Sequence, residues 1–197
     1  MRTSSSALLV LASSSPRRRQ LLEMLGIAHR VDPSDVPEVP EPGESAERFA
    51  VRLAREKAVQ VAARHPGAPV LGADTVVVLG ERLLGKPDSP ADAARMLKEL
   101  SGREHRVVTA VALARDAVVE DRCDVTHVWF RPLSSAMIDA YVASGEPLDK
   151  AGAYGVQGYG AVLVERIEGD FFSVMGLPVR LVIELLEAAG LPYRFTR

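Results

Sequence analysis

Residues 70–79 read VLGADTVVVL, a run with four valines, two leucines and a single charge. β-Branched side chains are stiff at χ1 and pack well on a pleated surface, so this segment is a strand. Asp74 lies inside that strand or at its end, with apolar or small neighbours on both sides. A carboxylate in such a setting requires a metal, a cation or hydrogen-bond donors. It is suited to binding a hard cation or activating water. It is equally suited to capping a turn or pairing with a structural arginine.

The other elements follow from pattern and punctuation. Residues 7–12 (ALLVLA) predict a short buried strand, and Ser15-Pro16 predicts the start of a helix with Ser15 as N-cap, ended by Gly26. Residues 32–43 carry four prolines and no helical period, which predicts an extended loop with room for a short edge strand. A helix is expected from about Ser45 to Ala63 and another from Pro90 to Leu100. Two strand-like runs near 106–114 and 117–130 have the form of a hairpin. A helix capped by Ser134 or Ser135, a glycine-rich loop over 145–160, a strand over 161–167 and a final helix over 181–189 complete the chain. Strands and helices interleaved with hairpin features indicate an α/β fold with a mixed sheet, in a single domain over 1–197.

Composition narrows the function. A net charge of −2 argues against a general nucleic-acid binder, so any positive site is local. One cysteine, Cys123, excludes an internal disulfide framework. No segment is apolar over a length that spans a bilayer. The apolar run near the start is short and is followed by three arginines, so it reads as a strand rather than an export signal, and a cytoplasmic location is expected. His29, His65, His105 and His127 show no metal-ligand spacing, and Walker, Rossmann and nucleophile-elbow motifs are lacking.

Three further places resist a purely structural account. Arg17 and Arg18 at a helix start oppose the macrodipole, and an anion bound by the helix N–H groups, Ser13 and the guanidinium groups resolves the conflict. A solvated basic turn is the plainer alternative. Lys57 falls in the apolar arc formed by Phe49, Ala50, Leu53, Ala54, Ala58 and Val61, where an ammonium must pair, snorkel to the edge or face a phosphate. Lys86 is fixed between Gly85 and Pro87, and the loop over 145–160 holds five glycines, a density that suits a functional loop as well as a flexible excursion.

Taken together, LASSSPRRRQLLEMLG resembles the N-terminal signature of the Maf family. Seven further motifs follow in that family's order: SDVPE at 34–38, LAREKA at 53–58, GADTVV at 72–77, GKP at 85–87, SGREHRVVT at 101–109, SGEPLDKAGAYGVQG at 144–158 and EGDFFSVMGLPV at 168–179. The resemblance covers nearly the whole chain. It implies a twisted mixed sheet with flanking helices, related to that of inosine-triphosphate pyrophosphatases, with two lobes around a cleft. It also implies hydrolysis of a nucleoside triphosphate to the monophosphate and pyrophosphate with a divalent cation, Mg²⁺ or Mn²⁺, as cofactor. Nucleic acid and membrane are not expected partners, whereas a homodimer is.

Residue by residue, the resemblance makes Asp74 the proton acceptor and Ser13, Arg18, Glu38, Lys57 and Lys86 its polar cluster, with Glu38 and Asp74 holding the metal. Arg17, Thr75 and Gln157 match positions for base choice, in the combination of the branch acting on dTTP and UTP. An aromatic residue in place of Arg17 marks the branch acting on 7-methyl-GTP. Pro37 departs from the pattern, since an acidic residue is common there. The family's link to septum formation leaves a second reading, a nucleotide-binding regulator of cell division.

Overall fold

The computed structural model describes residues 8–195, so Ala7 of the expected first strand lies outside the described residues. The strands are β1 (Leu9–Leu11), β2 (His29–Val31), β3 (Val70–Leu79), β4 (Arg82–Leu84), β5 (Glu104–Arg115), β6 (Val118–Phe130) and β7 (Val164–Glu168). The helices are α1 (Pro16–Met24), α2 (Ala46–Ala62), α3 (Pro90–Leu100), α4 (Ser135–Ala143), α5 (Phe171–Met175) and α6 (Val179–Ala188). The strands form one sheet in the order β2-β1-β3-β5-β6-β7, with β4 paired to β3. β1 is parallel to both β2 and β3, whereas β4 and β7 run antiparallel to β3 and β6. The α/β class and the mixed sheet are therefore as the sequence indicates.

Strand β3 is buried on nearly all of its ten residues, which explains why its sequence is a continuous apolar run rather than an alternation. β5 and β6 are neighbours joined by Asp116 and Ala117 alone, a link too short for a crossover, so they form the expected hairpin. The edge strand looked for within 32–43 is found just before it, at 29–31, where β2 pairs Leu9 with His29 and Leu11 with Val31. The last strand starts at Val164 rather than 161, because residues 158–163 wind into a 3₁₀ turn. Helix α5, which no sequence signal announced, is five residues long, below the length at which a 3.6-residue period can be seen. The Asp170 carboxylate caps it, accepting from the Phe172 amide at 2.8 Å.

The chain divides into two compact units, and β3, β5 and β6 contribute residues to both. The first comprises residues up to 74, 110–123 and the chain from 176 onward. Its core includes Val10, Leu22, Phe49, Leu53, Leu71, Val111 and Leu185. The second, 75–109 with 124–175, has a core that includes Val77, Leu97, Phe130, Tyr154 and Leu163.

Gly72 governs the approach of α2 to β3. A Cβ at that position would lie 2.2 Å from the Ala54 carbonyl oxygen and 2.7 Å from the Ala58 nitrogen, both backbone atoms that move only with the helix. Residues 72 and 74 share a strand face, so the face that meets α2 also carries Asp74. A Gly72→Ala substitution is expected to destabilise the protein by about 3 kcal/mol, the upper part of the range for overpacking. Urea unfolding of the variant beside the wild type measures it, and a midpoint unchanged from wild type would show that α2 can withdraw freely.

Candidate active site

The first unit gathers six of the residues singled out in the sequence, Ser13, Arg17, Arg18, Glu38, Lys57 and Asp74. β3 pairs with β1 only as far as Leu11↔Leu71 and begins pairing with β4 at Val77↔Leu84. Asp74 and Thr75 fall in the interval between those two partners. Ser13 follows the end of β1, and α1 begins three residues later with Pro16. The carboxyl ends of parallel strands are where open α/β sheets place their ligand sites.

Lys57 is 6% exposed, in the apolar arc of α2 where the helical wheel puts it. It neither snorkels nor stands alone. Its Nζ donates to Asp74 Oδ1 at 2.6 Å and to Glu38 Oε1 at 2.6 Å. Glu38 comes from the proline-rich segment, which brings a second carboxylate to the ammonium without a regular element. Asp74 is 5% exposed. Its burial raises the carboxyl pKa above the ordinary aspartate value, while Lys57 and then Arg18 pull the other way and Glu38 adds a further rise. The group stays paired, yet is a stronger base than a solvated aspartate.

Ser15 occupies the N-cap of α1 as expected, but its side chain caps nothing. Ser13 takes the organising role instead. Its Oγ accepts from the Ser15 amide at 3.2 Å and from Arg18 Nη1 at 3.0 Å. Arg18 Nε donates to the Gly176 carbonyl at 2.8 Å. Burial lowers the Arg18 pKa, the carboxylates of Asp74 and Glu38 oppose that, and neighbouring Arg17 adds to it. The first turn of α1 holds no acidic side chain. Its N–H groups and two arginines therefore form a positive end beside a serine, as an anion requires.

Thr75, Lys86 and Gln157 belong to the second unit. Thr109 Oγ1 lies 3.1 Å from Thr75 Oγ1 and donates to the Ser173 carbonyl at 2.8 Å. The one hydrogen of the Thr109 hydroxyl is thus within reach of two acceptors, the Thr75 hydroxyl oxygen and the Ser173 carbonyl. Lys86 and Gln157 are exposed. The two turns that carry them are joined, since the Gly152 amide donates to the Gly85 carbonyl at 3.0 Å. Sequence reasoning missed Thr109 and Gly176 as partners. Thr109 gives a signal of the kind Asp74 gives, a polar side chain in the apolar run VVTAVALA, whereas a backbone acceptor such as Gly176 leaves none.

Glu38 and Asp74 are the residues that can hold a divalent cation. Among the described residues no group of three or more His, Cys, Asp and Glu side chains is arranged for a metal. Both carboxylates converge on the Lys57 ammonium, so a hard ion such as Mg²⁺ would be held by their other oxygens and would keep water and draw further ligands from phosphate oxygens rather than from a closed protein cage. The donor set fits that mode.

Residues 8–189 match the model of the family described as Maf-like protein. The chain belongs to this family. Among curated relatives, this Maf-like chain is 55% identical to the dTTP/UTP pyrophosphatase of Myxococcus xanthus (strain DK1622), with 94% of each chain covered. It is 51% identical to that of Geobacter metallireducens (strain ATCC 53774 / DSM 7210 / GS-15), over 92% of this chain and 96% of the relative. Among solved structures it is similar to a nucleoside-triphosphatase / dITP/XTP pyrophosphatase from Mycobacterium abscessus, with 18% identity, 93% of this chain and 98% of that one covered, and a TM-score of 0.45.

The paired charges predict a specific stability pattern. Lys57→Met leaves the Asp74 carboxylate buried without its cation and is expected to cost about 3–5 kcal/mol. Adding Asp74→Asn removes the stranded charge and is expected to recover most of that loss, read by urea unfolding of the single and double variants. A double variant no more stable than Lys57→Met would refute the pairing as the source of the loss.

Proposed function

We propose that this Maf-like protein hydrolyses dTTP and UTP to the nucleoside monophosphate and pyrophosphate. The observation that carries the reading is Asp74, a buried carboxylate of raised pKa held at 2.6 Å by Lys57 in the unit that also presents Ser13 and Arg18. Relatives at about half identity over nine-tenths of the chain, named dTTP/UTP pyrophosphatases, support the same activity.

Each side chain has a role that its contacts suit. Ser13 Oγ has both lone pairs taken by Ser15 and Arg18, so its hydrogen is left to donate to a phosphate oxygen. Arg17, Arg18 and the amides at the start of α1 bind and orient the triphosphate, and Lys86 adds a point charge. Lys57 fixes the direction of the Asp74 carboxylate. Asp74 accepts the proton of the water that attacks the α-phosphorus, and pyrophosphate leaves from the opposite side. A divalent cation held by Glu38 and Asp74 would neutralise charge growing on the phosphates. The remainder of the catalysis is positioning and electrostatics. Arg17, Thr75 and Gln157 choose the base, the Gln157 amide matching the O4 and N3–H edge of thymine or uracil.

Pyrophosphate release from dTTP, UTP, CTP, dGTP, ITP, 7-methyl-GTP and 5-methyl-UTP, with Mg²⁺ or Mn²⁺, tests this reading. Preference for dTTP and UTP is expected, with Asp74→Asn slowing turnover by about 10²–10⁴-fold. Preference for 7-methyl-GTP would keep the reaction and overturn the base assignment. Folded protein inactive on every nucleotide would overturn the reaction itself.

The raised pKa of Asp74 also sets a pH dependence. The base works when ionised, so kcat/KM is expected to fall as pH drops through the Asp74 pKa, with the acid limb above the ordinary aspartate range. A pH–rate profile of the wild type measures it, and a kcat/KM that does not fall toward acid would remove Asp74 as the base.

A further inference from the structure

The glycine-dense segment after α4 is not a loose excursion. It winds into three short 3₁₀ turns, Glu146–Asp149, Ala151–Ala153 and Gly158–Leu163, around one carboxylate. Glu146 Oε2 accepts from the Tyr159 amide at 2.9 Å, and Oε1 accepts from the Gly160 amide at 3.0 Å and the Tyr141 hydroxyl at 2.9 Å. The Tyr141 oxygen in turn accepts from the Gly155 amide at 3.2 Å. Lys150 closes the group from below by donating to the Glu146 carbonyl and to Asp149.

Gln157 stands in the middle of these contacts. Gly155, two residues before it, is held by Tyr141, and Tyr159, two residues after it, is held by Glu146. Val156 beside it is buried, whereas Gln157 itself is exposed. Gly158 has φ +77 and a Cβ there would lie 2.7 Å from Glu146 Oε2, so glycine at 158 lets the chain pass close over the carboxylate. Burial opposes ionisation of Glu146, but the Gly160 and Tyr159 amides, Tyr141 and Lys150 outweigh it, and the carboxyl sits below its ordinary range. The group thus spends its charge on backbone amides of this one segment.

We infer that Glu146 is a positioning residue for base choice, its carboxylate fixing the backbone that carries Gln157. The inference rests on the reading of Gln157 as a base-choosing residue. Glu146 touches no reacting atom and acts only through the loop. The ligand concerned is the pyrimidine edge of the nucleotide.

Glu146→Gln keeps the size of the side chain and one acceptor oxygen, but replaces the other with an amide that cannot accept. Amide hydrogen exchange of Tyr159 and Gly160 is expected to speed up by roughly tenfold. KM for dTTP is expected to rise roughly tenfold with kcat changed less than about twofold, and the preference for dTTP over CTP to shrink by a similar factor. In a Gln157→Ala background the same substitution is expected to change that preference by less than about twofold, because the residue it positions is gone. A merely structural role would lower activity alike in both backgrounds. Tyr141→Phe removes the bond that holds Gly155 and one of the bonds that orient Glu146, is expected to act in the same direction, and serves if Glu146→Gln does not fold.

Unchanged exchange at Tyr159 and Gly160 would overturn the inference, as would a wild-type base preference in Glu146→Gln or an equal loss in both backgrounds. Wild-type protein inactive on both dTTP and UTP would instead overturn the proposed function and take the base-choice role with it.

Discussion

The Lys57 ammonium, 2.6 Å from both Glu38 and Asp74, is the interaction on which the candidate active site depends. A buried carboxylate without a cation is too costly to keep, and two converging carboxylates repel. Lys57 meets both demands from one turn of α2. The close approach of α2 to β3 that puts it there is possible because residue 72 has no side chain. Helix packing, strand sequence and charge pairing are therefore one arrangement, and the chemistry proposed for Asp74 inherits its geometry from a backbone contact.

The sheet contributes an interruption rather than a surface. β3 leaves β1 after Leu71 and meets β4 at Val77, and Asp74 and Thr75 occupy the residues between. The same end of β1 releases the chain into Ser13 and the positive start of α1, so a carboxylate and a positively charged helix end arise from two neighbouring parallel strands. Burial then acts on the two charges in the expected senses, raising the Asp74 pKa and lowering that of Arg18.

The second unit uses a different device. Glu146 has a pKa below its ordinary range and spends its charge on amides, holding a segment whose five glycines would otherwise suggest mobility. Glycine density here marks close passage of backbone over a carboxylate and a tyrosine. Thr109 plays a smaller part of the same kind, its hydroxyl lying within hydrogen-bond reach of both the Thr75 hydroxyl and the Ser173 carbonyl. Thr75 and the segment that carries Gln157 are each thereby bonded to a polar side chain of the same unit.

Much of this was legible in the residues. The apolar run around Asp74 and the position of Lys57 in an apolar arc each announced a charge needing a partner, since burial and periodicity can be read locally. The α/β class followed from strand and helix patterns of ordinary length, and the Maf-like family from motifs in order. What the sequence could not state was which partner each charge takes. That Lys57 meets Asp74, 17 residues away, depends on how closely α2 packs on β3, and that it meets Glu38, 19 away, on the path of the proline-rich segment. That Arg18 reaches the Gly176 carbonyl, 158 residues away, depends on a backbone atom with no side-chain signature. Short elements such as β2 and α5 escaped because they span less than a detectable period. Local pattern determined which groups must be satisfied, and only tertiary packing decided what satisfies them, because pairing over long sequence separations is a property of the folded distances.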